Sequence, residues 1–254
     1  MPLAGIRVRV SGDYACFTRP ETKVERFTYP VMTPSAARNV LDAICWRPQM
    51  RWIVTRISVL KPIRTISVLR NEVQSKLSPS SVKKWMRDSS KYEPLMAGAG
   101  NGTDCTPRNT TLLRDVAYWI DAYPLVFDPS GDNTPGKYLA MMERRVAKGQ
   151  CFQRPYFGCR EFAAEFSPEL PDDKPIDDSM VIGRMLYDIA FLPTGNRAAF
   201  FEAKLVNGVM ETDPAQVLAE TNNRDDLLRR SHNRPDSRQP SFCAEEVSLC
   251  SCKP

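Results

Sequence analysis

Two of the Thr-Pro pairs in this 254-residue chain most constrain its fold, because each of them predicts the start of a helix. The first pair is Thr33-Pro34 and the second is Thr134-Pro135. A threonine hydroxyl can cap the N–H groups that open a helix, and proline is tolerated at the first helical position. Apolar residues at helical spacing follow the first pair until Pro48, and the second predicted helix, 136–148, closes on Gly149. The sequence therefore predicts two capped helices.

Strand-like segments surround both predicted helices. Residues 6–10 alternate apolar side chains with Arg7 and Arg9, which predicts a strand with one buried face and one arginine-bearing face compatible with RNA. Further predicted strands are 51–60, 63–69, 112–120 and 159–166. Together these segments predict an α+β fold with a ferredoxin-like (RRM/RAMP) βαββαβ domain. Residues 70–110, which are rich in Ser, Lys and Gly, are expected to be a mobile insertion in that domain.

The rest of the chain is expected to form two further parts. Two strand-like segments, 185–191 and 198–206, are followed by Asn207-Gly208, a pair typical of tight hairpin turns. They predict a small antiparallel β appendage. The last forty residues have almost no aromatic side chains and are rich in Arg, Asn, Ser and Pro, which predicts disorder. The predicted boundaries are 1–166 for the ferredoxin-like domain, 167–213 for the small β domain and 214–254 for the tail.

Cysteine and histidine usage argues against a metal site. The eight cysteines are irregularly spaced and form no CxxC pair, so they indicate reduced thiols rather than a disulfide framework. His232 is the only histidine and lies in the tail. No metal site is therefore expected. No apolar run approaches the roughly 20 residues that a membrane-spanning helix needs, and the N-terminus lacks the layout of a signal peptide. We expect a cytoplasmic protein without a membrane partner.

The charge of the chain is strongly asymmetric. The whole chain carries +5, but residues 1–91 hold 17 Lys and Arg against 6 Asp and Glu, a net +11, whereas residues 92–254 carry a net −6. Such segregation attracts a polyanion to one part of a molecule, and neutralised phosphates then supply affinity that depends on salt. The alternative is an ordinary solvated basic surface. An excess of this size favours a nucleic acid as the partner.

Four groups of short motifs carry a family resemblance. They are GDYACFTRPETKVER at 12–26 with TPSAAR at 33–38; WRP at 46–48 with LKPIR at 60–64 and RNEV at 70–73; TTLLRDV at 110–116 with GK at 136–137; and RR at 144–145 with GQCF at 149–152 and GCREF at 158–162. Over roughly residues 5–166 the chain resembles the type I-C (Dvulg subtype) CRISPR-associated Cas-five family of the RAMP superfamily. Each motif is short, but four in register are specific.

The resemblance implies a function in CRISPR antiviral defence. Members of this family cut the CRISPR precursor RNA without a metal or other cofactor, and they stay bound to the 5′ handle of the mature guide RNA. The resemblance therefore implies a metal-independent endoribonuclease that produces a 2′,3′-cyclic phosphate and assembles with the backbone and large subunits of a Cascade complex.

The same resemblance implies three catalytic positions. The family's lysine corresponds to Lys137, but its Tyr or His position holds Cys45 and its second His position holds Tyr138. A thiol and a phenol could act as base and acid, at ordinary pKa values near ~8.5 and ~10. The alternatives are a buried apolar role for Cys45 and a packed or base-stacking aromatic role for Tyr138. For Lys137 the alternative to a phosphate contact is a solvated lysine.

The predicted RNA surface combines basic and aromatic residues, since cations track the phosphates and rings stack on bases. Any one of the basic residues could instead be a solvated charge. The basic candidates are Arg19, Lys23, Arg26, Arg38, Arg47, Lys61 and Arg64, and the aromatic candidates are Tyr14, Phe17 and Tyr29.

Three functions stay open on the sequence. The first is an active endoribonuclease that retains its product, which the resemblance and Lys137 favour. The second is a weakened or inactive subunit that only holds the 5′ handle, which the changes at Cys45 and Tyr138 favour. The third, a general single-strand RNA-binding protein, leaves the four registered motifs unexplained.

Overall fold

The computed structural model describes residues 5–22, 24–93, 104–192, 195–218 and 227. The strands are β1 (Ile6–Ala15), β2 (Arg26–Phe27), β3 (Met50–Val59), β4 (Thr65–Val73), β5 (Cys105–Val126), β6 (Glu165–Ser167), β7 (Met180–Leu192), β8 (Gly195–Leu205) and β9 (Val209–Glu211). The helices are α1 (Pro34–Ile44), α2 (Pro79–Arg87), α3 (Pro135–Lys148) and α4 (Pro214–Val217), with a 3₁₀ turn at Ser89–Lys91. The chain is thus a mixed α/β fold built on antiparallel sheets.

Strand β5 is the centre of the main sheet. It is 22 residues long, and the sheet runs in the order β6-β1-β5-β3-β9. β1 and β3 pair antiparallel with its second half, whereas β4 pairs antiparallel with its first half, from Cys105 to Leu113. The two-residue strand β2 runs parallel beside Thr110 and Thr111. β5 therefore pairs directly with four strands, β1, β2, β3 and β4. β6 and β9 join the sheet through β1 and β3.

The alternation predicted for the first strand is confirmed, but its arginines are occupied. Val8 and Val10 are buried in the core, while Arg7 and Arg9 point to the other face. Arg7 donates to both carboxylate oxygens of Asp121 at 2.6 and 3.0 Å, and Arg9 lies 2.5 Å from Asp173. These arginines are less available to RNA than the sequence indicated, because carboxylates distant in sequence already pair with them.

Both predicted helix starts are confirmed. Thr33 accepts the N–H of Ala36 at 3.3 Å, and Thr134 accepts the N–H of Lys137 at 3.4 Å. α3 closes on Gly149, which adopts a left-handed conformation with φ of 64°. α1 and α3 pack with the sheet around one core that includes Trp52, Tyr118 and Phe157.

The insertion is more regular than the sequence indicated. β4 extends to Val73, α2 occupies Pro79–Arg87, and β5 already begins at Cys105. Ser78 caps α2 through the N–H of Ser81 at 3.1 Å, which repeats the cap-then-proline pattern of the other helices. Pairing with β4 extends the predicted strand 112–120 back to Cys105, and pairing with β3 extends it to Val126. Residues 94–103, the glycine-rich part of the insertion, lie outside the described residues.

The closing strand lies later than predicted. β6 spans Glu165–Ser167 rather than 159–166, and it pairs with β1. Cys159 instead begins a turn, in which its carbonyl accepts the N–H of Phe162 at 3.0 Å. The preceding Gly158 has a φ of 79°, which ends any extended run there.

Gly158 offers a sharp test of this turn. A Cβ at position 158 would lie 1.9 Å from the carbonyl oxygen of Cys16, whereas a Cβ at Gly131, which also has a positive φ, would meet nothing within 4 Å. We expect Gly158→Ala to lower the free energy of unfolding by about 2–4 kcal/mol, from backbone strain and overpacking, and Gly131→Ala by only about 1 kcal/mol. Urea denaturation of the two variants measures the difference. Equal effects would contradict the close approach.

The later segment forms a second, two-stranded sheet. β7 and β8 pair antiparallel, and β9 returns to the main sheet beside β3. Asn207 and Gly208 both have positive φ, as the predicted tight turn requires. The division at residues 166 and 213 stays a prediction. Of the predicted disordered tail, only α4, Leu218 and Leu227 belong to the described residues, and the remainder lies outside them.

A buried ion cluster fastens β7 to α1 and β3. Asp188 accepts hydrogen bonds from Arg38 at 2.7 and 3.0 Å and from Arg51 at 2.7 Å, and Arg38 also donates to Asp42 at 2.7 Å. Burial alone would raise the pKa of Asp188, but the charges of Arg38 and Arg51 hold it below its usual range. Asp188 is therefore an ionised carboxylate in the interior.

Candidate nucleic-acid interface

An open cleft lies where β1 ends beside the middle of β5. Its volume is about 430 Å³, and it is lined by Asp13, Tyr14, Arg64, Arg114 and Asp115. β5 changes partners at this place, since pairing with β4 ends at Leu113 and pairing with β3 begins at Tyr118. The gap between the two sets of partners leaves side chains from three segments facing open space.

Asp115 shapes the charge of the cleft. Its φ of 53° is left-handed, and its carboxylate lies 2.5 Å from the Lys61 ammonium group. The hydrogen bond from Lys61, followed by the charges of Lys61, Arg64 and Arg114, lowers the pKa of Asp115. The Asp115 carboxylate thus neutralises the Lys61 ammonium group. Arg64 and Arg114 are exposed, and the backbone N–H of Arg114 donates to the Arg64 carbonyl at 2.9 Å. Two guanidinium groups remain available to an anion.

Tyr14 supplies an aromatic surface at the rim of the cleft. It is 40% exposed, and its ring centroid lies 6.3 Å from that of Phe162. A ring supported on one side and open on the other can stack on a base. The sequence prediction of Tyr14 as a platform fits this position.

A second basic group lies around β2. Arg19 lies over the rings of Tyr29 and Phe27, at 4.6 and 5.9 Å from their centroids. Arg26 lies 3.7 Å from Glu161 and 3.9 Å from Glu72. Arg70 pairs with the same two carboxylates at 2.7 Å each. Arg26 is therefore less available to a phosphate than the sequence suggested, because Glu72 and Glu161 already compensate it.

Three residues predicted to contact RNA are corrected by the structure. Phe17 is 2% exposed and Tyr29 is 1% exposed, so both belong to the core and cannot stack on a base. Arg38 is committed to Asp42 and Asp188, and its side chain is only 14% exposed. Arg47 is exposed three residues after the end of α1, and its contact with RNA stays a prediction. Lys23 lies outside the described residues.

Sequence reasoning missed two exposed residues of this surface. Arg114 interrupts the apolar run of β5, and that interruption was a usable signal. Phe27 is 48% exposed and lies under Arg19. It belongs to a two-residue strand paired in parallel with β5, so no periodicity marked its exposure.

The three catalytic candidates do not form one cluster. Lys137 is exposed in the first turn of α3, and its ammonium group has no ion pair within the described part of the chain. Backbone N–H groups and the helix dipole favour an anion at such a terminus. The adjacent Tyr138 is largely buried, and its hydroxyl donates to the side-chain carbonyl of Asn133. Lys137 and Tyr138 are thus neighbours at one helix end.

Cys45 lies elsewhere and is closed to solvent. It ends α1, it is buried, and its carbonyl accepts the indole N–H of Trp52 at 2.7 Å. Burial raises the pKa of its thiol, although Arg145 and Arg47 oppose that shift. Arg145 donates to the carbonyl of Ile44, and it is eight residues after Lys137, about 12 Å along the helix. The geometry favours the buried apolar role for Cys45 over a role as a base.

The described residues offer neither a metal-binding cluster nor a membrane-spanning helix. No group of three or more His, Cys, Asp or Glu side chains among them is placed to hold a metal ion. His232 lies outside that part of the chain. None of the helices found there is long and apolar enough to cross a membrane.

Known proteins share both the sequence and the fold. A family described as CRISPR-associated protein (Cas_Cas5) matches residues 5–186. A Mannheimia succiniciproducens protein named CRISPR pre-crRNA endoribonuclease Cas5d is 44% identical over 218 residues, which cover 82% of this chain and 95% of that protein. A Thermus thermophilus protein of the same name is 40% identical over 197 residues, 77% of each chain.

A solved structure supports the fold independently. It is described as a CRISPR-associated protein and superposes with a TM-score of 0.56, covering 82% of this chain and 91% of that one. Its sequence identity of 24% limits the likeness to the fold. Because the family match spans most of the described residues and two relatives are at least 40% identical, this chain belongs to the Cas5d family of CRISPR-associated proteins.

Proposed function

We propose that this chain binds CRISPR precursor RNA, cuts it without a metal ion, and stays on the 5′ handle of the guide RNA as a subunit of a Cascade complex. Relatives at 44% and 40% identity are named pre-crRNA endoribonucleases. The observation that carries the proposal is the exposed Lys137 at the N-terminus of α3, at the position where the family has its catalytic lysine. The open cleft with Arg64, Arg114 and Tyr14 supports the RNA-binding part.

The finer fold assignment belongs to the same proposal. The order β6-β1-β5-β3 with antiparallel pairing supports a ferredoxin-like βαββαβ core, in which α1 and α3 are the two crossover helices. On this proposal residues 1–166 form that core, and residues 167–213 form the β appendage.

The reaction requires proton transfers and charge stabilisation. A base takes the proton of a 2′-hydroxyl, that oxygen attacks the neighbouring phosphate, and the 5′-oxygen leaves with a proton. The products are a 2′,3′-cyclic phosphate and a 5′-hydroxyl. Lys137 would stabilise the negative charge on the phosphate. Tyr138 is also buried, so its hydroxyl would have to release Asn133 and reach the surface before it could donate to the leaving oxygen. Cys45 takes no part, because it is buried.

The second candidate is a subunit that binds the 5′ handle but does not cut. The burial of Cys45 favours it, since the family's base position then offers no accessible base. The two candidates share their RNA partner and differ only in chemistry.

A cleavage assay in EDTA separates the two candidates. The purified full chain is incubated with its cognate repeat RNA, and the product ends are identified by their chemistry. Cleavage that persists in EDTA and leaves a 2′,3′-cyclic phosphate supports the proposal. Tight binding with intact RNA supports the second candidate, and absence of specific binding would contradict both.

The cleft makes a separate prediction about binding. We expect Arg64→Ala combined with Arg114→Ala to reduce the slope of log Kd against log salt by about 1–2, because each arginine neutralises about one phosphate. Titration of fluorescent repeat RNA at several salt concentrations measures the slope. Lys204→Ala, an exposed lysine on β8, is the matched control and should leave the slope unchanged. Equal slopes in the double variant and the control would exclude the cleft from the interface.

A further inference from the structure

Two cysteines meet where the end of β1 contacts the segment before β6. The backbone N–H of Cys16 donates to the Phe157 carbonyl at 3.1 Å, and Gly158 lies against the Cys16 carbonyl. These contacts place Cys159, the residue after Gly158, beside Cys16. Both residues are free thiols. The chain thus brings together two thiols that are far apart in sequence.

The surroundings of this pair favour a thiolate. Arg26 donates to the sulfur of Cys159 at 3.5 Å, and the sulfur of Cys16 lies 3.5 Å from the Thr18 hydroxyl. The hydrogen bond from Cys159, with smaller contributions from Thr18 and the charges of Arg26 and Arg70, lowers the pKa of Cys16 to about 6. The pair therefore loses its first proton below the range of an ordinary thiol.

One residue of the pair is partly exposed. Cys159 is half-buried, whereas Cys16 is buried. The hydrogen bond with Cys16 and burial raise the pKa of Cys159, so the thiolate of the pair is on Cys16. Cys45 is as buried as Cys16, but the pKa of its thiol is raised. The Cys16–Cys159 pair is therefore the stronger nucleophile.

We propose that Cys16 and Cys159 form a reactive dithiol that a hydroperoxide converts to an intrachain disulfide. In the first step the thiolate attacks the terminal peroxide oxygen, so that an S–O bond forms, the O–O bond breaks, and the alcohol leaves after taking a proton. In the second step the other thiol attacks the sulfenic sulfur, an S–S bond forms, and water leaves. Two thiols and one hydroperoxide thus give one disulfide, one alcohol and one water.

The disulfide would link the first strand of the main sheet to the turn that precedes β6. It would also turn the Cys159 sulfur, which accepts a hydrogen bond from Arg26, into part of a neutral disulfide. This sulfur lies beside the ion pairs that join Arg26 and Arg70 to Glu72 and Glu161. This proposal concerns thiol chemistry alone and stands whether or not the chain cuts RNA.

Peptide mapping tests the dithiol directly. The full chain is treated with stoichiometric hydrogen peroxide at neutral pH, free thiols are alkylated, and the unreduced digest is analysed by tandem mass spectrometry. We expect a cross-linked peptide that joins Cys16 to Cys159 and is lost on reduction with dithiothreitol. These two cysteines should lose alkylation about tenfold faster than Cys105, a half-buried thiol at the start of β5, because more of the pair is ionised.

Cysteine variants test which two thiols form the disulfide. Cys16→Ser and Cys159→Ser should each abolish the cross-link, and dimedone should then trap a sulfenic acid on the remaining cysteine. Cys151→Ser, which removes the exposed cysteine closest in sequence to Cys159, should leave the cross-link intact. The proposal is overturned if Cys16 and Cys159 stay alkylatable while Cys105 is oxidised, or if Cys159 bonds to Cys151 instead.

Discussion

Replacement of Asp188 by asparagine is expected to lower the free energy of unfolding by about 3–5 kcal/mol. The side chain is buried and accepts hydrogen bonds from both Arg38 and Arg51. An asparagine of the same size would leave two guanidinium groups in the interior with one carboxylate, that of Asp42, between them. Uncompensated buried charge is costly because the arginines cannot release their protons. We therefore expect the largest stability loss of any single polar substitution proposed for this chain.

Urea denaturation of Asp188→Asn measures this loss, and Asp172→Asn, at an exposed aspartate, is the control. The pKa of Asp188 is lowered in the folded state, so its contribution is fully present above the unfolded value near ~3.9 and is lost as the pH falls through the folded value. The difference between wild type and variant should therefore shrink in acid. A difference under about 1 kcal/mol at neutral pH would show that the cluster adds little net stability.

Replacement of Lys137 by alanine is expected to slow cleavage of repeat RNA by about 10²–10³-fold, since a cation that stabilises the charged phosphate is then missing from the transition state. Lys137 lies in the first turn of α3, where the open N–H groups already favour a phosphate. Its loss should change the Kd for the same RNA by only a few-fold, because one phosphate contact among several is removed. Single-turnover cleavage and equilibrium binding, both in EDTA, separate the two effects.

Lys148→Ala is the matched control, because Lys148 is exposed at the opposite end of the same helix. It should leave the cleavage rate within about twofold of wild type, since it lies far from the anion-binding helix end. A Lys137→Ala variant that cuts at the wild-type rate would remove Lys137 from the chemistry. Equal losses in rate and in binding would assign it to RNA binding instead.

Sequence signals carried by adjacent residues predicted the helix starts and the tight turn. The Thr-Pro pairs at 33–34 and 134–135 placed both helix starts, and Asn207-Gly208 placed a turn, because caps and positive φ depend on adjacent residues. The extent of β5 was underestimated. Its first half is a strand because β4 pairs with it, and that partner is distant in sequence. Ser78-Pro79 carried the same cap signal as the predicted helices and was overlooked.

The candidate site was harder to predict for a physical reason. A sequence shows that Arg38 or Phe17 is of a type that binds RNA, but not whether the fold has already used it. Arg38 is neutralised by Asp188, 150 residues later, and Phe17 packs on Tyr118 and Phe157 in the core. Arg64 lies beside Arg114 because β3 and β4 follow each other along β5 and the link between them passes Arg114. Long-range pairing of this kind leaves no local pattern.

The two sets of partners along β5 have a mechanical consequence. Residues 118–122 have neighbours on both sides, β1 and β3, whereas residues 105–109 pair, among the described strands, with β4 alone. The N-terminal end of β5 can therefore separate from β4 without disturbing the part of β5 that supports α1 and α3. The hairpin of β4 and the first half of β5 can therefore move to admit a bulky ligand, while the part of the sheet formed by β1, β3 and the second half of β5 keeps its shape.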